Sequence, residues 1–226
     1  MYKLSPSALS IFKDCPRCFW MEKNLKIKRP RGIFPSLPGG MDRILKIHYD
    51  IHRSMGSIPP EVKLQGFSLY KEISQMNRMR NSFNSGLEFN IDGNILTGGI
   101  DELVHDNNNF FSPFDYKTRG SAPKEGATEG YYGTQADTYS LLLREKGFKM
   151  SDFAFFAYYF PKDTSADENK TVFNFNCEIV KIGVDPQRAI DLFSSALDCL
   201  NSSIPEASCT CEYCNYENQK KGANLS

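Results

Sequence analysis

Residues 87–118, LEFNIDGNILTGGIDELVHDNNNFFSPFDYKT, constrain the fold more than any other stretch. Short apolar, β-branched and aromatic runs are broken by Asp92-Gly93-Asn94 and by Asp106-Asn107-Asn108-Asn109, both turn signals. The pattern predicts three successive strands, near 87–92, 95–105 and 110–117. The run 130–147, GYYGTQADTYSLLLREKG, then predicts a helix ending at Gly147. DFAFFAYYFP (152–161) is nearly continuous in hydrophobics and predicts a strand covered on both faces, followed by a strand in TVFNFNCEIVKIGV (171–184). A last helix is predicted in 185–203, capped by Asp185 with Pro186 in its first turn.

The N-terminal third reads as helical. Ser5-Pro6 is a helix start, followed by Leu9, Phe12, Phe19 and Trp20 at helical spacing. RPRGIFPSLPGG (29–40), rich in proline and glycine, is expected to be irregular. Helical periodicity resumes through Ile44, Leu45, His48 and Ile51, and 59–86 is expected to be partly helical. No repeat or linker divides the chain, so the expectation is one α/β domain over 1–226, a central mixed sheet flanked by helices.

With 226 residues, 40% hydrophobic and 24% charged, the chain can bury a sizeable core and has the composition of a soluble globular protein. MYKLSPSALSIFKDCPR lacks a signal-peptide core and no apolar run would span a bilayer, so a cytoplasmic protein is expected. Net charge is zero, but Lys23, Lys26, Lys28, Arg29 and Arg31 form an acid-free basic segment. Such a segment is either a solvated loop or a contact for nucleic-acid phosphates.

Chemistry concentrates at the end of the third strand. Asp115 and Lys117, two residues apart in an extended chain, share one face of the sheet. A second acid-x-lysine triplet, Glu168-Asn169-Lys170, lies in a polar stretch without strand character and reads as a solvated loop. Across an antiparallel ladder Asp101 would face residue 113 or 115, and either register joins it to Asp115 and Lys117. Neighbouring carboxylates repel unless a cation lies between them, and oxygen donors suit Mg²⁺ or Mn²⁺. Gly98 and Gly99 would admit a close backbone or substrate strand. Gln135 and Tyr139, four apart, share one face of the following helix, and His48 on the earlier helix is a candidate nitrogen ligand.

Together these positions resemble the PD-(D/E)XK nuclease superfamily in its RecB-like branch, which includes the CRISPR-associated exonucleases and the nuclease domains of bacterial recombination enzymes. His48, GGID ending at Asp101, DYK from Asp115 to Lys117, and QADTY from Gln135 to Tyr139 match that branch's motifs in order. One departure is Ile44, where the branch carries a glycine one turn before the histidine. The resemblance implies a restriction-endonuclease-like core and hydrolysis of DNA phosphodiester bonds, from strand ends, in repair, recombination or CRISPR-type processing. It implies Asp101, Asp115, His48 and the Tyr116 carbonyl as ligands of Mg²⁺ or Mn²⁺. Lys117 would act at the phosphate, positioned by Gln135 and Tyr139. The alternatives are a non-catalytic nucleic-acid-binding module of the same fold, which a degenerate acid or lysine would mark, and an RNA-cleaving relative.

Seven cysteines in an intracellular chain point to metal binding or burial rather than disulfides. Cys15 and Cys18 in CPRC, and Cys211 and Cys214 in CTCEYC, are paired C-x-x-C motifs at opposite ends. By resemblance, Cys15 before Pro16-Arg17 joins C-terminal cysteines around an iron–sulfur cluster. The branch's trailing cysteine is missing, so Cys18 or Cys209 would supply the fourth thiolate, and zinc and iron–sulfur both stay open. Cys177 and Cys199 are expected to be core residues.

Overall fold

The computed structural model describes residues 1–30, 32, 36–81, 83–162 and 174–223. Arg31 and the Glu168-Asn169-Lys170 triplet lie outside the described residues. The elements are β1 (Lys3–Leu4), α1 (Pro6–Asp14), α2 (Pro16–Asn24), α3 (Ser36–Met55), α4 (Pro60–Lys63), β2 (Ser68–Leu69), α5 (Ile73–Arg80), β3 (Glu88–Ile91), β4 (Asn94–Thr97), β5 (Glu102–His105), β6 (Phe111–Thr118), α6 (Ala127–Glu145), β7 (Phe153–Pro161), β8 (Phe175–Gly183), α7 (Pro186–Asn201) and α8 (Glu212–Gly222).

The main sheet runs β2-β5-β6-β7-β8, with β6 and β7 parallel and the other pairs antiparallel. This is the mixed α/β architecture of the restriction-endonuclease-like fold. The parallel pair requires a crossover, and α6 supplies it. Helix α3 covers one face, packing Leu45 and Tyr49 on Phe114, Tyr116 and Phe155. Helix α6 covers the other, where Ala136 meets Ala154, Phe156 and Tyr158. Strand β7 is buried from Ala154 to Tyr159, as its hydrophobic run predicts.

A second sheet, β1-β4-β3, packs Leu4 and Leu96 against Leu9, Phe19, Phe193 and Leu197 of the terminal helices. Here the structure corrects the predicted strand 95–105. It is two strands in two sheets, and the chain crosses between them at Gly98-Gly99-Ile100-Asp101. The β3–β4 hairpin itself turns at Asp92 (φ 49°) and Gly93 (φ 79°), the left-handed pair such a tight turn demands.

Two further expectations change. The proline- and glycine-rich run is helical from Ser36, because Pro38 lies in the first turn of α3, where backbone N–H groups have no helical acceptor. The buried stripe of α3 is Leu45, Tyr49 and Arg53, whereas Ile44 and Ile51 are exposed. The apolar residues of this helix occupy two adjacent stripes, and the inner one is rotated by one residue from the predicted one. The cysteines expected in the core also move outward: Cys177 is exposed on edge strand β8 and Cys199 is half-buried. No helix among the described residues is long and apolar enough to cross a membrane.

Candidate active site and thiolate site

Extending the β5–β6 register Glu102↔Phe114 by one residue sets Asp101 opposite Asp115, which resolves the two registers left open above. Asp101 Oδ2 accepts the Tyr116 backbone N–H at 3.3 Å. Asp115 and Lys117 point toward α6, on the sheet face opposite Tyr116, whose ring packs at 5.1 Å on Tyr49. Lys117 pairs with Asp115 and lies over the Tyr132 ring at 4.5 Å.

The Gln135 amide locks this group. Its Oε1 accepts from Lys117 Nζ at 3.3 Å, and its Nε2 donates to Asp115 Oδ1 at 2.8 Å and to the Tyr139 hydroxyl at 2.9 Å. Both amide hydrogens and the carbonyl are thereby used, which fixes the orientation of the side chain. Asp115 Oδ2 faces the Lys117 ammonium as an ion pair but accepts no well-directed hydrogen bond.

Electrostatics sort the roles. Burial alone would lower the Lys117 pKa, but the charge and hydrogen bond of Asp115, then the charge of Asp101, hold it above the usual lysine value. Lys117 therefore stays cationic. Burial, then the Asp115 charge, lifts Asp101 well above the ordinary carboxylate range, and Lys46 and Lys117 only partly offset this. Tyr139, buried beside two acids, is held well above the usual phenol value and stays neutral.

One ring nitrogen of His48 is engaged away from these acids. Its Nε2 meets Glu61 Oε1 at 2.9 Å, and Glu61 also accepts from the Tyr159 hydroxyl at 2.9 Å. The residue of α3 that reaches the site is Lys46, with Asp42 beside it. Lys46 Nζ binds Asp42 Oδ2 at 2.8 Å and lies 3.7 Å from Asp101 Oδ1, so one ammonium joins the two carboxylates. Lys46 and His48 are two residues apart, about 200° around a helix, so they face opposite ways. The sequence signal for Asp42 was its i, i+4 spacing to Lys46, masked by the more familiar histidine.

Behind the site, Glu102 is fully buried and paired with both Arg53 and Arg80, and Asp50 bridges the two arginines. Arg80 Nε donates to the Asp101 carbonyl at 2.9 Å, and the Tyr116 hydroxyl donates to Glu102 at 3.2 Å. This network fixes the backbone that carries Asp101. None of it was singled out in the sequence, because it joins residues from four elements.

The carboxylates of Asp42, Asp101 and Asp115 are hard oxygen donors that suit Mg²⁺ or Mn²⁺, but their oxygens do not all lie within 4.8 Å of one another. Lysine ammonium groups lie against all three, at Asp101 and Asp115 where a cation would stand. By donor chemistry the residues fit a divalent cation.

The thiols of Cys15, Cys18, Cys211 and Cys214 lie within 4.8 Å of one another and form the group of three or more metal-ligating side chains found among the described residues. The Cys15–Cys214 separation is 3.9 Å, and Cys18 is 3.6 Å from both Cys211 and Cys214. Cys18 thus supplies the fourth thiol and Cys209 is exposed. Burial raises Cys15, but backbone N–H groups of Cys18 and Ser208 outweigh it and bring Cys15 down to about 7. Arg29 pairs with Asp14, and its Nη2 donates to Cys211 Sγ at 3.6 Å, placing a fixed positive charge beside the thiols. Of the other basic-segment residues, Lys23 pairs with Glu22, Lys26 binds the Lys23 carbonyl, and Lys28 is exposed.

A protein-family model described as the PD-(D/E)XK nuclease superfamily matches residues 62–219, more than half of the chain. No curated protein matches. Among solved structures, the crystal structure of SSO0001 aligns over 96% of this chain and 84% of its own, with 13% identity and a TM-score of 0.35.

Proposed function

The chain belongs to the PD-(D/E)XK nuclease superfamily, and from that premise we propose that it is a divalent-metal-dependent DNA nuclease of the RecB-like type, working from strand ends in repair, recombination or CRISPR-type processing. The observation that carries this reading is the Gln135-locked pair of Asp115 and Lys117 with Asp101 opposite. A binding module derived from the fold would have no need to keep both acids and the lysine. Asp101 and Asp115 would hold the cation, with Asp42 rather than His48 and the Tyr116 carbonyl as further oxygen donors. A divalent cation held there supplies Lewis-acid activation of water and neutralises charge on the scissile phosphate. Lys117, permanently cationic, orients the attacking water and stabilises charge developing on the phosphate oxygens. Gln135 holds Lys117 and Asp115 in register, and Tyr139 holds Gln135. The whole chain serves as one nuclease domain, with its two ends joined by the cysteine quartet.

The cysteine spacing supports one of the two metals left open. Four thiolates at about 2.3 Å from one tetrahedral ion lie about 3.8 Å apart. An iron–sulfur core places each thiolate outward on its own iron and spreads them further. Three of the separations, at 3.6–3.9 Å, with the rest within 4.8 Å, support a single ion, zinc by its preference for four thiolates.

The test is cleavage of end-labelled single- and double-stranded DNA with Mn²⁺. Lys117→Ala should cut the single-turnover rate by about 10²-fold or more while calorimetric Mn²⁺ binding persists. Lys170→Ala, in the second triplet, should cleave like wild type. Wild type inert under every metal, or Lys117→Ala as active as Lys170→Ala, would overturn the assignment.

A further inference from the structure

A cleft of about 370 Å³ opens beside the cysteine quartet, between α2, the segment 27–30 and α8. It falls at the low end of small-molecule sites, about 300–1,000 Å³. Cys18 and Cys214 form part of its wall, and Met21, Ile27 and the Tyr213 ring give it an apolar floor. Ile27 and Tyr213 are 52% and 42% exposed, so this floor is open to water. Arg17, Lys28 and Lys221 line the same cleft, together with one acid, Glu217. Among the described residues none of the three cations is in an ion pair. Arg29 joins cleft and thiols: its guanidinium lies 4.7 Å from the Tyr213 centroid while Nη2 reaches Cys211. Its Nε is buried and has no hydrogen-bond partner among the described residues.

We propose that this cleft binds one nucleotide of a single-stranded nucleic-acid segment, with the base on Tyr213 and the phosphate among Arg17, Lys28 and Lys221. The proposal rests on the nuclease reading only in naming a nucleic acid as the ligand. An exposed aromatic face with unpaired cations around it is complementary to a flat base carrying a phosphate. A free phosphate would leave the apolar floor uncovered, whereas a nucleotide joins a flat ring and a phosphate in every residue of the strand. Because Arg29 touches both Tyr213 and Cys211, any effect of filling the thiolate site on strand binding is matched by an equal effect of the strand on metal binding.

The test uses metal-loaded protein and a short fluorescein-labelled oligothymidylate, without added Mg²⁺ or Mn²⁺ so that nothing is cleaved. Tyr213→Ala should weaken binding by about tenfold or more, and Tyr213→Phe should restore it. Lys28→Gln with Lys221→Gln should flatten the logarithmic salt dependence by about one to two in slope. An oligomer carrying 5-iododeoxyuridine should photo-crosslink to Tyr213. Variants are compared at wild-type metal content, and the surface lysine pair still tests the site should Tyr213→Ala fail to load. Crosslinks elsewhere, wild-type affinity in Tyr213→Ala, or displacement of the oligomer by polyglutamate as effectively as by unlabelled oligothymidylate would overturn the proposal. Failure of the nuclease reading shows separately, as intact binding without cleavage when Mn²⁺ is added.

Discussion

Asp101 carries a conflict between folding and chemistry. The folded chain holds its proton more tightly than the unfolded chain does, because burial and the Asp115 charge raise its pKa. Ionising it therefore costs stability as pH rises from below about 4, and the whole cost is present above the raised value. In metal-free buffer at neutral pH, Asp101→Asn should melt above wild type, by about 2–4 °C per kcal/mol relieved. The gap should close in acid, where both side chains are neutral, and Mn²⁺ should raise the melting temperature of wild type alone. A variant melting lower at neutral pH would show that Lys46 and Lys117 already offset the charge. The same logic separates Asp42 from His48: Asp42→Asn should weaken calorimetric Mn²⁺ binding and His48→Gln should not. Equal losses would return His48 to the site. Asp115 and Lys117 share a face by the strand period, and Gln135 and Tyr139 by the helix period, but it was the resemblance, through the order of the four motifs, that joined the two pairs and Asp101 into one site. Asp42 was not legible, because the facing of α3 is decided by which of two apolar stripes meets the sheet.

The crossing between the two sheets is the least legible element. A Gly-Gly pair within apolar residues reads equally as a bulge, and what makes it a crossing is Tyr139, far along the chain. A Cβ on Gly98 would stand 3.2 Å from Tyr139 Cε1 and 3.4 Å from Leu142 Cδ1. Tyr139 is buried and its hydroxyl accepts the Gln135 hydrogen bond, so it has little room to yield. Gly98→Ala should cost about 1–3 kcal/mol in urea unfolding, the usual cost of overpacking. It should also slow cleavage by disturbing Gln135. Wild-type unfolding would mean that α6 does not press on the crossing. By contrast, the turn of the β3–β4 hairpin was legible, since Asp92-Gly93 settles it locally.

At the scale of the whole molecule, the two C-x-x-C pairs could be read from spacing, but which four thiols meet could not. That choice depends on how the outer helices pack: α1, α2 and α7 around one core cluster, and α8 against the α1–α2 junction through the thiols. Cys15 and Cys214 are 199 residues apart yet 3.9 Å in space, so a metal there ties nearly the whole chain into one loop. The unfolded chain does not hold four thiolates together, and metal binding energy then becomes folding energy. Apparent values for structural zinc in small peptides are about 10–16 kcal/mol, so even partial loss should be plain. Metal analysis should find one ion per chain. Cys15→Ser, Cys18→Ser, Cys211→Ser and Cys214→Ser should each lose it and melt well below wild type. Cys209→Ser and Cys177→Ser should keep both metal and stability, since both residues are exposed and outside the quartet. Metal loss in Cys209→Ser with retention in Cys18→Ser would reassign the fourth ligand. Several irons per chain with matching sulfide would replace the single ion by a cluster and require the four thiols to stand further apart than 3.6–3.9 Å.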